Sequence, residues 1–289
     1  MKRQKSFLSD TPTLYLVATP IGNLQEMTPR AIEILNNVDV IAAEDTRNTG
    51  QLLKHFDIRT RLITHHLFNE KQSCKGLLEL LGQGMSIALV SDAGYPLISD
   101  PGQILVETVI DAGYNVVTIN GPSAILAALV SSGIKAQPFT FVGFLSSKTS
   151  EFQKQLDYWK NHEETLVFYE APHRIEKMLK GCLEVLGDRK MCLARELTKK
   201  YEEYLRGTIS EVIENVHDCK GEMVVIIEGY QKDDKDVISL YDLAHIVDKY
   251  IEEGLSASEA IKKTAKEHGV SKNEVYRYYF NETEKRTLI

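Results

Sequence analysis

The sequence predicts an α/β protein with a mostly parallel sheet, then a mixed sheet, then a small helical C-terminal domain. Three observations predict it. Apolar strand-like runs alternate with amphipathic helical runs about five times before Gly133, the pattern of a parallel sheet covered by helices. From Pro138 the rhythm changes, and the last two strand-like runs are close enough for antiparallel pairing. After the charged linker Gln231 to Asp236, three capped helical segments close the chain. The expected domains are 13–122, 123–230 and 237–289.

Residues 1–12 read as a polar, flexible lead. Leu14 to Ala18 is a strand that runs into the turn-rich Thr19-Pro20-Ile21-Gly22-Asn23-Leu24. Thr28 caps a helix whose first residue is Pro29. Val38 to Ala43 is a strand ending in Glu44-Asp45-Thr46-Arg47, and a helix with Leu52, Leu53 and Phe56 follows. Leu62 to Thr64 is a short strand ending in His65-His66. A helix bearing Leu77, Leu78, Leu80 and Leu81 leads to the strand Ile87 to Val90.

Next comes Ser91-Asp92-Ala93-Gly94-Tyr95-Pro96-Leu97-Ile98-Ser99-Asp100-Pro101-Gly102. Two prolines, two glycines and two carboxylates in one loop at the carboxyl end of a buried strand suit a ligand site. Asp100 is expected to cap the following helix, with Pro101 at its first position. That helix runs from Ile104 to Ala112. Asn115 to Ile119 is the next strand, closed by Asn120-Gly121-Pro122-Ser123, and Ala124 to Val130 is a helix.

In the second region, strands are expected at Phe139 to Leu145, Thr165 to Tyr169, Lys190 to Ala194, Tyr201 to Arg206 and Glu222 to Ile227. Helices are expected at Glu151 to Trp159 and Pro172 to Leu186, with a short one at Ser210 to Val216. In the tail, Ser239 opens a helix that turns Leu240, Leu243, Ile246, Val247 and Tyr250 inward. Ser256 to Glu259 and Ser271 to Glu274 are capping boxes. The last two helices suggest a helix-turn-helix, with Lys272, Asn273, Arg277 and Tyr278 on its outer side.

Composition narrows the function classes. The chain has 289 residues and a formal charge of −7, which argues against indiscriminate coating of polyanions. A local basic patch can still sit on such a chain. No apolar run is long enough to span a membrane, and the start lacks the apolar segment of a signal peptide. A cytoplasmic location and reduced thiols are therefore expected. The four cysteines show no CxxC spacing, so neither zinc nor a disulfide framework is indicated. GxxxxGK[ST], GxGxxG after the first strand and GxSxG are absent, which argues against nucleotide triphosphatases, nicotinamide dehydrogenases and serine hydrolases. HExxH is absent and His65-His66 has no nearby ligand spacing, so no metal is expected.

The polar clusters fall at carboxyl ends of strands, so Glu44-Asp45, His65-His66, Asp92 and Ser123 should gather on one sheet edge. Asp92, Ser123 and the backbone of Ala93, Gly94 and Gly121 suit a ligand with hydroxyls, an amino-acid moiety and an aromatic base. The second region adds Glu170, His173 and Arg174, then Arg195, Glu196, Lys199, Lys200 and Arg206. Clusters of carboxylates and bases shift each other's proton affinity and suit acid/base work.

Six stretches together resemble the bacterial small-subunit rRNA (cytidine-2′-O-)-methyltransferase I family of the tetrapyrrole methylase superfamily. They are Leu14 to Leu24, Ala43 to Arg47, Ser91 to Gly102, Gly121 to Ala124, Phe168 to Arg174 and Ala194 to Lys199. The resemblance runs from about Leu14 to Gly229. It implies S-adenosylmethionine held in a cleft between two α/β domains, transfer to a cytidine ribose in the decoding centre of 16S rRNA, and a homodimer.

The resemblance further implies cofactor contacts at Pro20, Asp92, Ala93, Gly94, Leu97, Ser123, Ala124, Tyr169 and Ala194. Position and charge make Glu44, Asp45, Glu170 and Glu196 candidate bases, with Arg47 and Lys199 orienting phosphate or polarising the hydroxyl. Tyr95 departs from the small threonine usual in that loop. Two alternatives stay open: a methyltransferase for a tetrapyrrole-like small molecule, and a non-catalytic cofactor- or RNA-binding module.

Overall fold

The structure is a computed structural model that describes residues 1–6, 8, 11–65, 70–217, 219–231 and 240–287. His66, Ser239 and most of the charged linker lie outside the described residues. Residues Met1–Tyr230 form one compact unit and Gln231–Ile289 another.

The first unit contains two five-stranded sheets. In the first, β1 (Thr13–Val17), β2 (Val40–Ala43), β3 (Arg61–Thr64), β4 (Ile87–Val90) and β5 (Asn115–Ile119) are arranged 3-2-4-1-5. Every pairing is parallel. The register aligns Val17, Ala43, Thr64, Val90 and Ile119, so all five carboxyl ends lie on one edge. Successive residues of β4 face opposite sides, as the pleat requires. Ala88 and Val90 pack with Ala31 and Leu35 of α1 (Pro29–Asn37) and Leu53 of α2 (Thr46–His55). Ile87 and Leu89 pack with Leu77 and Leu81 of α3 (Glu70–Gly82) and Leu105 and Val109 of α4 (Gln103–Asp111).

Local capping explains several helix starts. Thr28 Oγ1 accepts from the Ala31 N–H at 3.2 Å, with Pro29 in the first turn. The lead segment is tied down at Gln4, whose side chain bonds both the N–H and the C=O of Val116. The expected Asp100 cap is not formed. α4 starts later, behind Gly102, whose φ of 132° and missing side-chain cap leave Asp100 outside the helix.

After β5, α5 (Ala124–Ser131) packs Ile125, Ala128 and Leu129 on the second sheet, against Val224 and Ile226. That sheet contains β6 (Phe139–Phe144), β7 (Thr165–Glu170), β8 (Lys190–Arg195), β9 (Glu203–Thr208) and β10 (Met223–Ile227), in the order 6-7-10-8-9. Only β6 and β7 are parallel; the other pairings are antiparallel. β9 lies two residues later than its expected span, because its register pairs Glu203 with Arg195 and Thr208 with Lys190. The opposite face is covered by α6 (Thr149–Trp159), α7 (Ile175–Leu186) and α8 (Ile209–Ile213). α7 begins after Arg174 rather than at Pro172.

The second unit has α9 (Leu240–Glu252), α10 (Ala257–Glu267) and α11 (Lys272–Thr287) around Leu243, Val247, Ile261 and Val275. Ser256 and Glu259 form the expected capping box. Lys272, Asn273 and Arg277 are exposed, whereas Tyr278 is half-buried. Among the described residues, no helix is long and apolar enough to cross a membrane.

Candidate active site

A cavity of about 370 Å³ lies between the carboxyl edge of the first sheet and one edge of the second. The first side supplies Ile21, Ala93, Gly94, Tyr95, Asp100, Ser123 and Ala124. The second supplies Phe144, Tyr169, Glu170, Leu197, Glu222 and Met223. The second group is brought together by register: Glu170 and Arg195 both pair with Met223, and Phe144 pairs with Tyr169.

The loop after β4 is held by backbone bonds. Thr19 and Gly94 exchange N–H···O bonds of 2.9 and 3.0 Å, and the Thr19 hydroxyl donates to the Ser91 carbonyl at 3.1 Å. Leu97 and Ser99 have φ of 74° and 68°. Side-chain-bearing residues rarely adopt that left-handed region, and such strain concentrates at functional sites. Glu196 and Thr198 carry φ of 50° and 68° across the cavity. The Tyr95 hydroxyl accepts from the Gly121 N–H at 3.2 Å, which links this loop to the turn after β5. A Cβ on Gly121 would stand 2.9 Å from the Cβ of Ala18, so glycine is needed for that close approach.

Of the expected cofactor residues, Ala93, Gly94, Ser123, Ala124 and Tyr169 line this cavity. Ser123 also caps α5, with Oγ accepting from the Leu126 N–H at 3.4 Å. The other four lie elsewhere. Pro20 and Asp92 line a neighbouring hollow. Leu97 packs into the core beneath its loop, because the left-handed turn points it back toward Leu89. Ala194 is fully buried in the sheet.

The six candidate acid/base and orienting residues separate by partner. Asp45 is the cap of α2: its Oδ1 accepts from the Arg47 N–H at 2.8 Å. The Arg47 guanidinium also grips it, at 3.1 and 2.7 Å, and these bonds hold the carboxyl down at about 2. Lys199 Nζ lies 3.0 Å from Glu196 Oε1 and 2.8 Å from Glu222 Oε2. Its bond lowers the Glu196 carboxyl. Burial alone would lower Lys199, but its bonds to Glu222 and Glu196 outweigh this and raise it.

Glu170 is buried, which pushes its carboxyl up. Its Oε1 accepts from the Ala171 N–H at 2.8 Å and lies 3.3 Å from Arg174 Nε. Its Oε2 is buried with no hydrogen-bond partner among the described residues. Glu44, half-buried at the end of β2, acts on Asp100 through its charge.

Asp100, expected as a helix cap within the ligand loop, and Glu222, given no role in the sequence, are two carboxylates that the structure places on the cavity. Burial, and then the charge of Glu44, push the Asp100 carboxyl up to about 6, against a bond from Ser91 that lowers it. No ion pair forms at Asp100 among the described residues. Burial, then Asp100 and Glu222, push Tyr169 up to about 12, so its hydroxyl stays protonated and able to donate. No cluster of described residues could hold a metal ion. Cys74, Cys182 and Cys192 are buried and form no disulfide among the described residues.

The cobalt precorrin-4 methyltransferase structure has the same fold, with a TM-score of 0.58 and 15% identity, over 75% of this chain and 94% of that one. The uroporphyrin-III C-methyltransferase of Thermus thermophilus gives 0.55 and 15% over the same shares. These likenesses show the fold, two α/β sheets with a cavity between them. The model of the tetrapyrrole (corrin/porphyrin) methylases matches residues 13–213.

Two relatives are named ribosomal RNA small subunit methyltransferase I. That of Bacillus subtilis is 47% identical over 96% of this chain and 98% of its own length. That of Synechocystis is 44% identical over 91% and 95%. The chain belongs to the tetrapyrrole methylase family and, within it, to the ribosomal RNA small subunit methyltransferase I family.

Proposed function

We infer that this protein methylates small-subunit ribosomal RNA, moving a methyl group from S-adenosylmethionine to the ribose 2′-hydroxyl of a decoding-centre cytidine. The observation that carries the reading is near full-length identity to rRNA methyltransferases. The motif resemblance supports the donor and the 2′-hydroxyl, and the cavity supports a donor of small-molecule size. A tetrapyrrole-like substrate is supported by the description of the matching family and by fold-level likeness, but not by the relatives of 44–47% identity.

The cavity suits such a donor. Its volume falls in the range of small-molecule sites, about 300–1,000 Å³. Ser123 and Tyr169 offer hydroxyls, Ala93 and Gly94 offer backbone, and the unpartnered Glu170 Oε2 offers an acceptor for an amine or hydroxyl. Bound there, S-adenosylmethionine supplies an activated sulfonium methyl group.

The protein's own tasks are orientation, exclusion of water and handling of one proton. Ile98, Phe144 and Leu197 give the cavity apolar walls. A ribose hydroxyl is a weak nucleophile, and a carboxylate that takes its proton helps. Asp100 is that acceptor in this reading. It lines the cavity, has no ion pair among the described residues, and is pushed up to about 6 by burial and the charge of Glu44. Glu170 and Glu44 are its neighbours in role; Asp45 and Glu196 are held by cations.

Mapping of methyl groups in small subunits, incubated with the enzyme and labelled donor, tests the reading. The expected mark is one cytidine at which alkaline cleavage is blocked. A base methyl, or no transfer to small-subunit RNA, would overturn it. A second copy of the chain is the proposed partner, supported by exposed Leu126 and Val130 on α5. Sedimentation at the mass of one chain would remove it.

A further inference from the structure

We propose that a second hollow beside the donor cavity receives the base of the nucleotide being methylated, with Asp92 accepting a hydrogen bond from its exocyclic amine. The proposal rests on the reading of the chain as an RNA methyltransferase. The hollow has a volume of about 370 Å³ and shares its walls with the cavity. Pro20 and Gly22 face the hollow while Ile21 faces the cavity. Ser91 and Asp92 face the hollow while Ala93 and Gly94 face the cavity. The paired Thr19 and Gly94 backbones join these two loops. One nucleotide spanning this partition would have its base on one side and its sugar toward the donor.

The far wall is α2. Asn48 Nδ2 donates to Asp92 Oδ2 at 2.9 Å, which holds an exposed carboxylate whose second oxygen can accept a further hydrogen bond. Gln51 is exposed on the same helix and carries both a donor and an acceptor. Thr49 is buried beside them, and its hydroxyl has no hydrogen-bond partner. Leu24 and Leu52 give the hollow apolar surface for the flat face of a ring.

A ring amine next to ring acceptors is the edge that cytosine presents, and a carboxylate is a matching partner for that amine. Bases splayed out of single-stranded RNA are read on this edge. A base with a carbonyl in place of the amine would set two acceptors against each other, so Asp92 also excludes uracil. The SDAG segment thus divides its labour: the backbone of Ala93 and Gly94 faces the donor, and the side chain of Asp92 faces the acceptor.

The test compares full-length wild-type protein and Asp92→Asn on small subunits carrying cytidine or uridine at the target. With cytidine, Asp92→Asn should lose about ten- to a hundred-fold in kcat/KM. It should also lose the preference for cytidine over uridine, while calorimetry shows unchanged S-adenosylmethionine affinity. Gln51→Ala should lose less, in the same direction. Wild-type kcat/KM and preference in Asp92→Asn would overturn the proposal. So would a loss of donor affinity as large as the loss of turnover, because Asp92 would then belong to the donor side. Wild-type protein that labels no small-subunit RNA would overturn the functional reading as well.

Discussion

The two walls of the cavity handle charge in opposite ways. On the second-sheet wall, carboxylates meet cations: Glu196 and Glu222 share Lys199, and Arg195 meets Glu203. Glu170 is the exception, because burial pushes its carboxyl up despite Arg174. On the first-sheet wall, Asp100 is half-buried near Glu44 and Asp92, and no cation neutralises it among the described residues. The difference teaches which charges hold the site and which do its chemistry. A paired carboxylate is stabilised as the anion and is a poor proton acceptor. A carboxylate buried among others is destabilised as the anion, which makes it responsive near neutral pH.

Asp100→Asn should break the comparison most sharply. Methyl transfer should fall by about 10²- to 10⁴-fold with donor affinity retained. In the wild type, turnover should rise with pH through about 6, as the Asp100 carboxyl ionises. Stability should move the other way. A carboxyl raised above its unfolded value weakens the fold above pH 6 and stops doing so as pH falls toward 4. The variant should therefore gain about 2 kcal/mol in denaturant unfolding at pH 7 and almost nothing at pH 4. Full turnover in Asp100→Asn would remove the residue from the chemistry.

The opposite wall should respond in stability. Gly221 has φ of 87°, and a Cβ there would meet Glu196 Oε1 at 2.1 Å. Gly221→Ala should cost about 2–3 kcal/mol, from left-handed strain and displacement of Glu196. Thermal unfolding like that of the wild type would show that this wall yields easily.

Lys199→Met should have the smallest effect, about 0.5–1 kcal/mol, because the pairs it breaks are partly exposed. That loss should be present above the usual carboxylate range. It should vanish as pH falls through the lowered Glu196 value, where the wild-type pair is also gone. Turnover should drop less than in Asp100→Asn. A larger drop would move Lys199 from holding the site to contacting substrate.

Much of the fold was legible because its signals are local. Thr28 and Ser256 act within three residues of themselves, and each caps the helix expected of it. Asp100 was misread for the same reason. Asp-Pro-Gly has the local chemistry of a helix start, but Gly102 takes a left-handed backbone and releases the carboxylate toward the cavity. Glu222 carried no motif. It joins the site only because β10 is inserted between β7 and β8, far from its neighbours in sequence. Asp92 stood in a recognisable loop, yet which side of that loop its carboxylate takes depends on Asn48, 44 residues away.

The sequence by itself determined the alternation of strands and helices, the ends at which polar residues cluster, and the family. Those properties follow from periodicity, capping and motif, each written in adjacent residues. Tertiary structure decided the strand orders 3-2-4-1-5 and 6-7-10-8-9, the pairing of Lys199, and the isolation of Asp100. Proton affinity and ion pairing depend on distance through space and on solvent exclusion, and neither quantity exists until each sheet brings distant segments of the chain together.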